Sequence, residues 1–248
     1  MKLSRMIFSA LSGVLALLLL ATPLQADEKV KSRMVYCDKG QDPAEVLTQE
    51  LGPQRLEMTL VGICPGFSVT RDDVRIEGDD EYGCPATDSI VEGTIRFDGV
   101  QRTEVACLTV TGPGIGIQAG QAASVMVTDS SISGNAEAGV FANSGASISL
   151  NGSQVMNNGG AGIEIYTNTS ADIDNSQITG NGTNGDAGDL YLFLHSTATG
   201  QGNTIGTAYL RLDSGVLLDG PSIGPVVCED TESSALINGA VPAGCTGF

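Results

Sequence analysis

The chain has 248 residues, 29 acidic and 12 basic side chains, a formal charge of −17, six cysteines, one histidine and no tryptophan. So acidic a chain repels phosphate backbones and anionic bilayers, which argues against nucleic acid as a partner. With one histidine and no C-x-x-C pair, a zinc site is disfavoured as well.

Residues 1–26 read as a signal peptide. Lys2 and Arg5 form a basic start, Ile7 to Ala21 is apolar, and Pro23-Leu24-Gln25-Ala26 offers a cleavage site before Asp27. A membrane anchor is the alternative, but the run is short for a stable span. No later apolar run has spanning length, so no membrane span is expected after cleavage. The remainder is about 222 residues (248−26), one domain in size, with a charge of −19 (10−29). Its expected destination is the periplasm or the exterior.

Six cysteines in an exported chain suggest disulfides rather than free thiols. Several pairings are open. Pairing of sequence neighbours is favoured: Cys37–Cys64, Cys84–Cys107 and Cys228–Cys245.

Residues 27–68 read as an N-terminal cap and first strands. Met34-Val35-Tyr36 is a short strand. Asp42 to Leu51 is a helix, with Asp42 as N-cap, Pro43 at the first helical position and Gly52-Pro53 as the stop. Val46, Leu47 and Leu51 give it an apolar face, suited to covering the bare end of a repeat array. Leu56 to Cys64 is a strand. Next, 74–78 and 95–99 read as early coils around an irregular acidic loop. In that loop Asp79, Asp80 and Glu81 are candidate oxygen ligands for Ca²⁺, although their spacing fits no known calcium loop and a solvated acidic loop is the plainer alternative.

From Gly114 to Gly206 the chain aligns with itself. Gly116, Gly139 and Gly162 are 23 residues apart (139−116 and 162−139), each followed by an aliphatic residue. The copies end alike: Ser130-Ser131-Ile132-Ser133-Gly134-Asn135, Ser153-Gln154-Val155-Met156-Asn157-Asn158 and Ser176-Gln177-Ile178-Thr179-Gly180-Asn181. A looser fourth copy ends at Asn203-Thr204-Ile205-Gly206. Such a period means a repeat architecture. Each copy holds short alternating pieces separated by Gly, Asn and Ser, which are strands and corners. One copy cannot close a core. Stacked copies can, each strand pairing with its equivalent one coil away. The Asn135, Asn158, Asn181 and Asn203 column is expected to form an amide ladder in one corner.

The glycine starts and the S-x-[IV]-x-[GN]-N endings resemble the right-handed parallel β-helix repeats of the pectate-lyase-like superfamily. The expected fold is therefore all-β: a single-stranded right-handed parallel β-helix over 69–220, with about seven coils, a short N-terminal capping helix and a C-terminal tail, 221–248, closed by a cystine. The resemblance does not fix a function, because this fold carries lyases, hydrolases, epimerases, spikes and adhesins. Pectate-lyase-like enzymes use Ca²⁺-binding carboxylates and an Arg or Lys base, yet here no Arg or Lys stands between Arg102 and Arg211. The aspartate pairs and G-H-G of polygalacturonase-like enzymes are missing too.

Outward strand positions are where such a fold would build a site. Aligning the coils, and reading 190–195 as one strand, puts Phe141, Glu164, Tyr166, Tyr191, Phe193 and His195 on one outer face, with Asp186 and Asp189 at its edge. Aromatic platforms with a few carboxylates suit sugar rings. Phe141, Tyr166, Tyr191 and Phe193 are the candidate ligand-binding residues, and Glu164 with His195 the candidate acid/base pair. Packing under a loop or tail is the competing role for these rings. The expected function is a structural or ligand-binding exported protein without enzymatic activity, with a polysaccharide or another envelope component as partner. The alternatives are a polysaccharide lyase or glycoside hydrolase, and a surface adhesion module.

Overall fold

The computed structural model describes residues 30–81, 83–182, 188–220 and 222–248. Residues 1–26, expected to be a signal peptide, and Asp186 lie outside them. The chain winds as a right-handed parallel β-solenoid of about nine turns. Three strand ladders run along it. The first stacks Ser124–Thr128, Ser147–Asn151, Ser170–Asp174 and Thr197–Gly200. The second stacks Ser131–Ser133, Gln154–Met156 and Gln177–Thr179. The third stacks Ile117–Gly120, Val140–Ala142, Ile163–Tyr166 and Leu190–Phe193.

Alternation within each strand sends one residue in two to the interior. The results are aliphatic stacks along the axis: Val105, Val127, Leu150 and Ile173 in one, Ile117, Val140, Ile163 and Leu190 in another, all fully buried. Burying each such side chain contributes about 1.5–3 kcal/mol.

The ladder is longer than the expected 69–220 and seven coils. It starts at Val30–Tyr36, which pairs in register with the first half of Arg55–Val69, and it ends at Ser234–Ile237. The outer coils escape the 23-residue period because their lengths differ. Aligned positions Ile117, Val140, Ile163, Leu190, Ala208 and Val226 are separated by 23, 23, 27, 18 and 18 residues (140−117, 163−140, 190−163, 208−190, 226−208).

Two side-chain ladders hold the corners at either end of the second strand ladder. In the amide ladder, Asn135 donates from its backbone N–H and from Nδ2 to Asn158 Oδ1, at 3.0 and 2.9 Å, and Asn158 does the same to Asn181. Asn203 does not continue it. Asn203 instead ends a serine ladder, in which the N–H of Ser130 donates to Ser153 Oγ, that of Ser153 to Ser176 Oγ and that of Ser176 to Asn203 Oδ1. The residue that continues the amide ladder is Asp189, whose Oδ1 accepts both donors of Asn181. Repeat glycines make room for the ladder. A Cβ at Gly139 would stand 2.7 Å from Asn158 Nδ2, and one at Gly162 2.6 Å from Asn181 Nδ2.

The helix runs Pro43–Gln49, with Asp42 accepting the Ala44 N–H as N-cap. Leu47 enters the core, while Leu51 is 80% exposed and outside the helix, so the apolar face is shorter than expected. The three disulfides pair as expected: Cys37–Cys64, Cys84–Cys107 and Cys228–Cys245. Beyond Ile237 the chain returns over the last coil, where the Ala235 N–H donates to Thr246 O. No described helix is long and apolar enough to cross a membrane.

Candidate functional site

The third ladder presents two outward columns. One reads Gln118, Phe141, Glu164, Tyr191, Tyr209 through successive coils, and the other Tyr166, Phe193, Arg211. Parallel pairing sets neighbours in a column about 4.8 Å apart, so the rings touch. Tyr166 lies 5.7 Å from Phe141, 5.9 Å from Tyr191 and 5.1 Å from Phe193, ring centre to ring centre. Tyr191 and Phe193 are stacked, 12° between planes. Each of these side chains is partly exposed.

Beside the rings a groove of about 600 Å³ is lined by Glu164, Tyr166, Tyr191, Tyr209, Asn181, Thr207, Arg211 and Glu229. Tyr166 donates its hydroxyl to Glu164 Oε1 at 2.9 Å. Burial among the rings pushes the Glu164 carboxyl above the usual carboxylate range, the Tyr166 hydrogen bond opposes this, and the charge of Glu137 adds to it. Burial and the neighbouring Glu164 push the Tyr166 phenol well above its ordinary value, so it stays a neutral donor. Arg211 is engaged on both sides: its Nε pairs with Glu229 at 2.5 Å and its Nη1 donates to Tyr191 Oη at 3.4 Å. Its guanidinium also lies 5.9 Å from the centre of the Phe193 ring.

The structure thus gathers Phe141, Glu164, Tyr166, Tyr191 and Phe193 as expected, but not His195. The strand ends at Phe193, and Leu194 and His195 both adopt left-handed backbone, each with φ 58°. They form the corner that Thr167-Asn168 and Leu212-Asp213 form in the adjoining coils. His195 therefore leaves the aromatic face. Its Nε2 lies 3.8 Å from Asp213, both exposed, and the Glu164–His195 pair does not form. Leu194, which a single strand over 190–195 would turn inward, is only partly buried there. Asp189 is buried and serves the amide ladder, its second oxygen accepting the Thr207 N–H.

Tyr209, Arg211 and Glu229 were not expected in the site. Tyr209-Leu210-Arg211 repeats the alternation of Tyr191-Leu192-Phe193, but 18 residues on, outside the 23-residue period. Asp79, Asp80 and Glu81 lie on the outer loop, where Asp79 Oδ1 accepts the Glu81 N–H. Among the described residues no group of three or more His, Cys, Asp or Glu side chains is placed to hold a metal ion.

A family model described as a right-handed beta helix region matches residues 74–220. No curated protein matches the chain. Among solved structures, the crystal structure of pectate lyase Pel9A is similar over 88% of this chain and 83% of that one, at 12% identity and a TM-score of 0.43.

Proposed function

We propose that this chain, which belongs to the right-handed β-helix family, is an exported glycan-binding protein that holds a sugar chain on its aromatic face without cleaving it. The observation that carries this reading is the contact array of Phe141, Tyr166, Tyr191 and Phe193 on consecutive coils, of which Tyr166 and Tyr191 line a groove with hydrogen-bonding groups. Sugar rings offer C–H faces to aromatic planes and hydroxyls to polar rims. The coil spacing makes the platform extend along the solenoid, which suits a chain rather than a compact ligand. The basic start and apolar run of residues 1–26, together with three disulfides, support export.

The raised proton affinity of Glu164 favours a second reading, a carbohydrate-active enzyme, lyase or hydrolase, in which Glu164 acts as an acid. The other carboxylate on the groove wall, Glu229, is already paired with Arg211, which weighs towards binding alone. The test is a thermal-shift screen of the oxidised protein against neutral and charged polysaccharides, with Ca²⁺ and with chelator, followed by product analysis of every hit. A stabilising glycan that is recovered intact and loses its effect on Tyr191→Ala is the expected result. Shortened or unsaturated products would establish the enzyme instead, and no shift with any glycan would overturn both.

A further inference from the structure

Glu164 stands where three rings meet. Phe141 is its register partner one coil before, Tyr191 its partner one coil after, and Tyr166 follows it by two positions on the same strand. A carboxylate half-buried among these rings loses part of its solvation, and among the described residues the Tyr166 hydroxyl is its one hydrogen-bond donor. Neutral hydroxyls do not offset a buried negative charge as a cation does. No described ion pair includes Glu164, and the groove's cation, Arg211, is spent on Glu229 and Tyr191. No Lys or Arg exists between Arg102 and Arg211 to supply another. The groove therefore keeps a net negative charge beside exposed aromatic faces, and aromatic faces themselves attract cations.

Resting on the glycan-binding reading, we propose that the groove selects sugars bearing a free ammonium, that is, amino-sugar residues without their N-acetyl group. The ammonium would be seated on Glu164 and flanked by the Tyr166 and Tyr191 rings. The same features disfavour a uronate, whose carboxylate would face Glu164 and Glu229 in a chain of charge −17. An N-acetylated sugar carries no cation to set against the Glu164 charge.

A short glucosamine oligomer, its N-acetylated counterpart and a uronate oligomer of equal length are titrated calorimetrically at a series of pH values from mildly acidic to neutral, to span both the protonated amine and the ionised Glu164 carboxylate. The proteins are the parent, Glu164→Gln and, as a charge-matched control on the first ladder's outer face, Asp172→Asn. The expected result is binding of the glucosamine oligomer that is about tenfold or more tighter than that of its N-acetylated form, weakened about tenfold by Glu164→Gln and less than twofold by Asp172→Asn. Equal weakening by both substitutions would mean diffuse attraction to an acidic protein and would overturn the proposal. Tighter binding of the N-acetylated or uronate oligomer would overturn it too, while leaving the glycan-binding reading in place. Absence of binding by all three oligomers and by every glycan of the thermal-shift screen would overturn both. The comparison of oligomers on the parent protein does not depend on how any variant folds.

Discussion

Asp189 Oδ1 accepts the backbone N–H of Asn181 at 3.0 Å and its Nδ2 at 2.9 Å, while Asp189 Oδ2 accepts the Thr207 N–H at 2.9 Å. One buried carboxylate thus splices the regular 23-residue coils onto the shorter coils that follow. A Cβ at Gly206 would lie 2.0 Å from that second oxygen, so the glycine there makes the splice fit. Hydrogen bonds to a charged group contribute about 1.5–3 kcal/mol each, not additively. Asp189→Ala is expected to cost about 3–5 kcal/mol in urea denaturation, because it strands three donors. Asp189→Asn is expected to cost less, about 1–3 kcal/mol: its oxygen still serves Asn181, but its amide then opposes the Thr207 N–H.

Two glycine substitutions separate steric from conformational demand. A Cβ at Gly139 would meet Val155 Cγ1 at 2.6 Å, Asn158 Nδ2 at 2.7 Å and Gly162 O at 2.8 Å. Gly139→Ala is therefore expected to cost about 2–3 kcal/mol by overpacking the ladder corner. Gly145 has open space around its Cβ position but a φ of +75°. Gly145→Ala is expected to cost only about 1–2 kcal/mol, from the left-handed backbone alone. Denaturant midpoints of the two variants check the order.

The Cys228–Cys245 disulfide closes a loop of sequence separation 17 around the chain's return over the last coil. Loop-closure entropy for that length is about 3 kcal/mol. Replacing both cysteines by alanine is expected to lower stability by about that amount, and amide exchange should rise first at Ala235, whose N–H bonds to Thr246 O. Uniform exchange across the solenoid would show instead that the tail does not hold the end closed.

Glu164 makes stability depend on pH in a direction opposite to that of a paired carboxylate. Its proton affinity is raised in the folded protein, first by burial and then by Glu137, against the Tyr166 hydrogen bond. The folded state therefore holds this proton to higher pH than the unfolded chain does. Below the unfolded value the group carries no penalty. The penalty grows as pH rises and is complete above the raised folded value. Glu164→Gln keeps an acceptor for Tyr166 and has no charge, so its melting temperature relative to the parent should climb with pH and then level off. Glu50, Asp73 and Asp230 are shifted the other way, which is why the difference between the two proteins, not the parent's own profile, is the quantity to follow.

The solenoid was legible because Gly116, Gly139 and Gly162 mark identical corners at one period, and the alternation around them fixes which side chains point in. The platform of Phe141, Glu164 and Tyr166 followed from that register. His195 was misplaced because Leu190 to His195 alternates apolar and aromatic residues without a break, and nothing local marks Leu194-His195 as a corner. The left-handed backbone is imposed by neighbouring coils: the Asn168 N–H donates to Leu194 O and the His195 N–H to Leu212 O. Asn203 was misplaced for a related reason. An amide can end a serine ladder as readily as extend an asparagine one, and the choice depends on where the 27-residue coil puts its extra residues. Asp189 shows the converse, since a carboxylate in an edge position by sequence is buried by the same change in coil length.

Glycan binding at the ring platform is tested most directly by tyrosine emission. The chain has no tryptophan, and three of its five tyrosines, Tyr166, Tyr191 and Tyr209, line the groove. Titration with the glycans that stabilise the protein should give a saturable change in emission. The affinity should fall about tenfold in Tyr191→Ala, in line with loss of an aromatic anchor, and stay unchanged in Met126→Ala on the first ladder's outer face. Equal affinity of parent and Tyr191→Ala, or no saturable change with any glycan, would contradict the assignment of this face as the binding site.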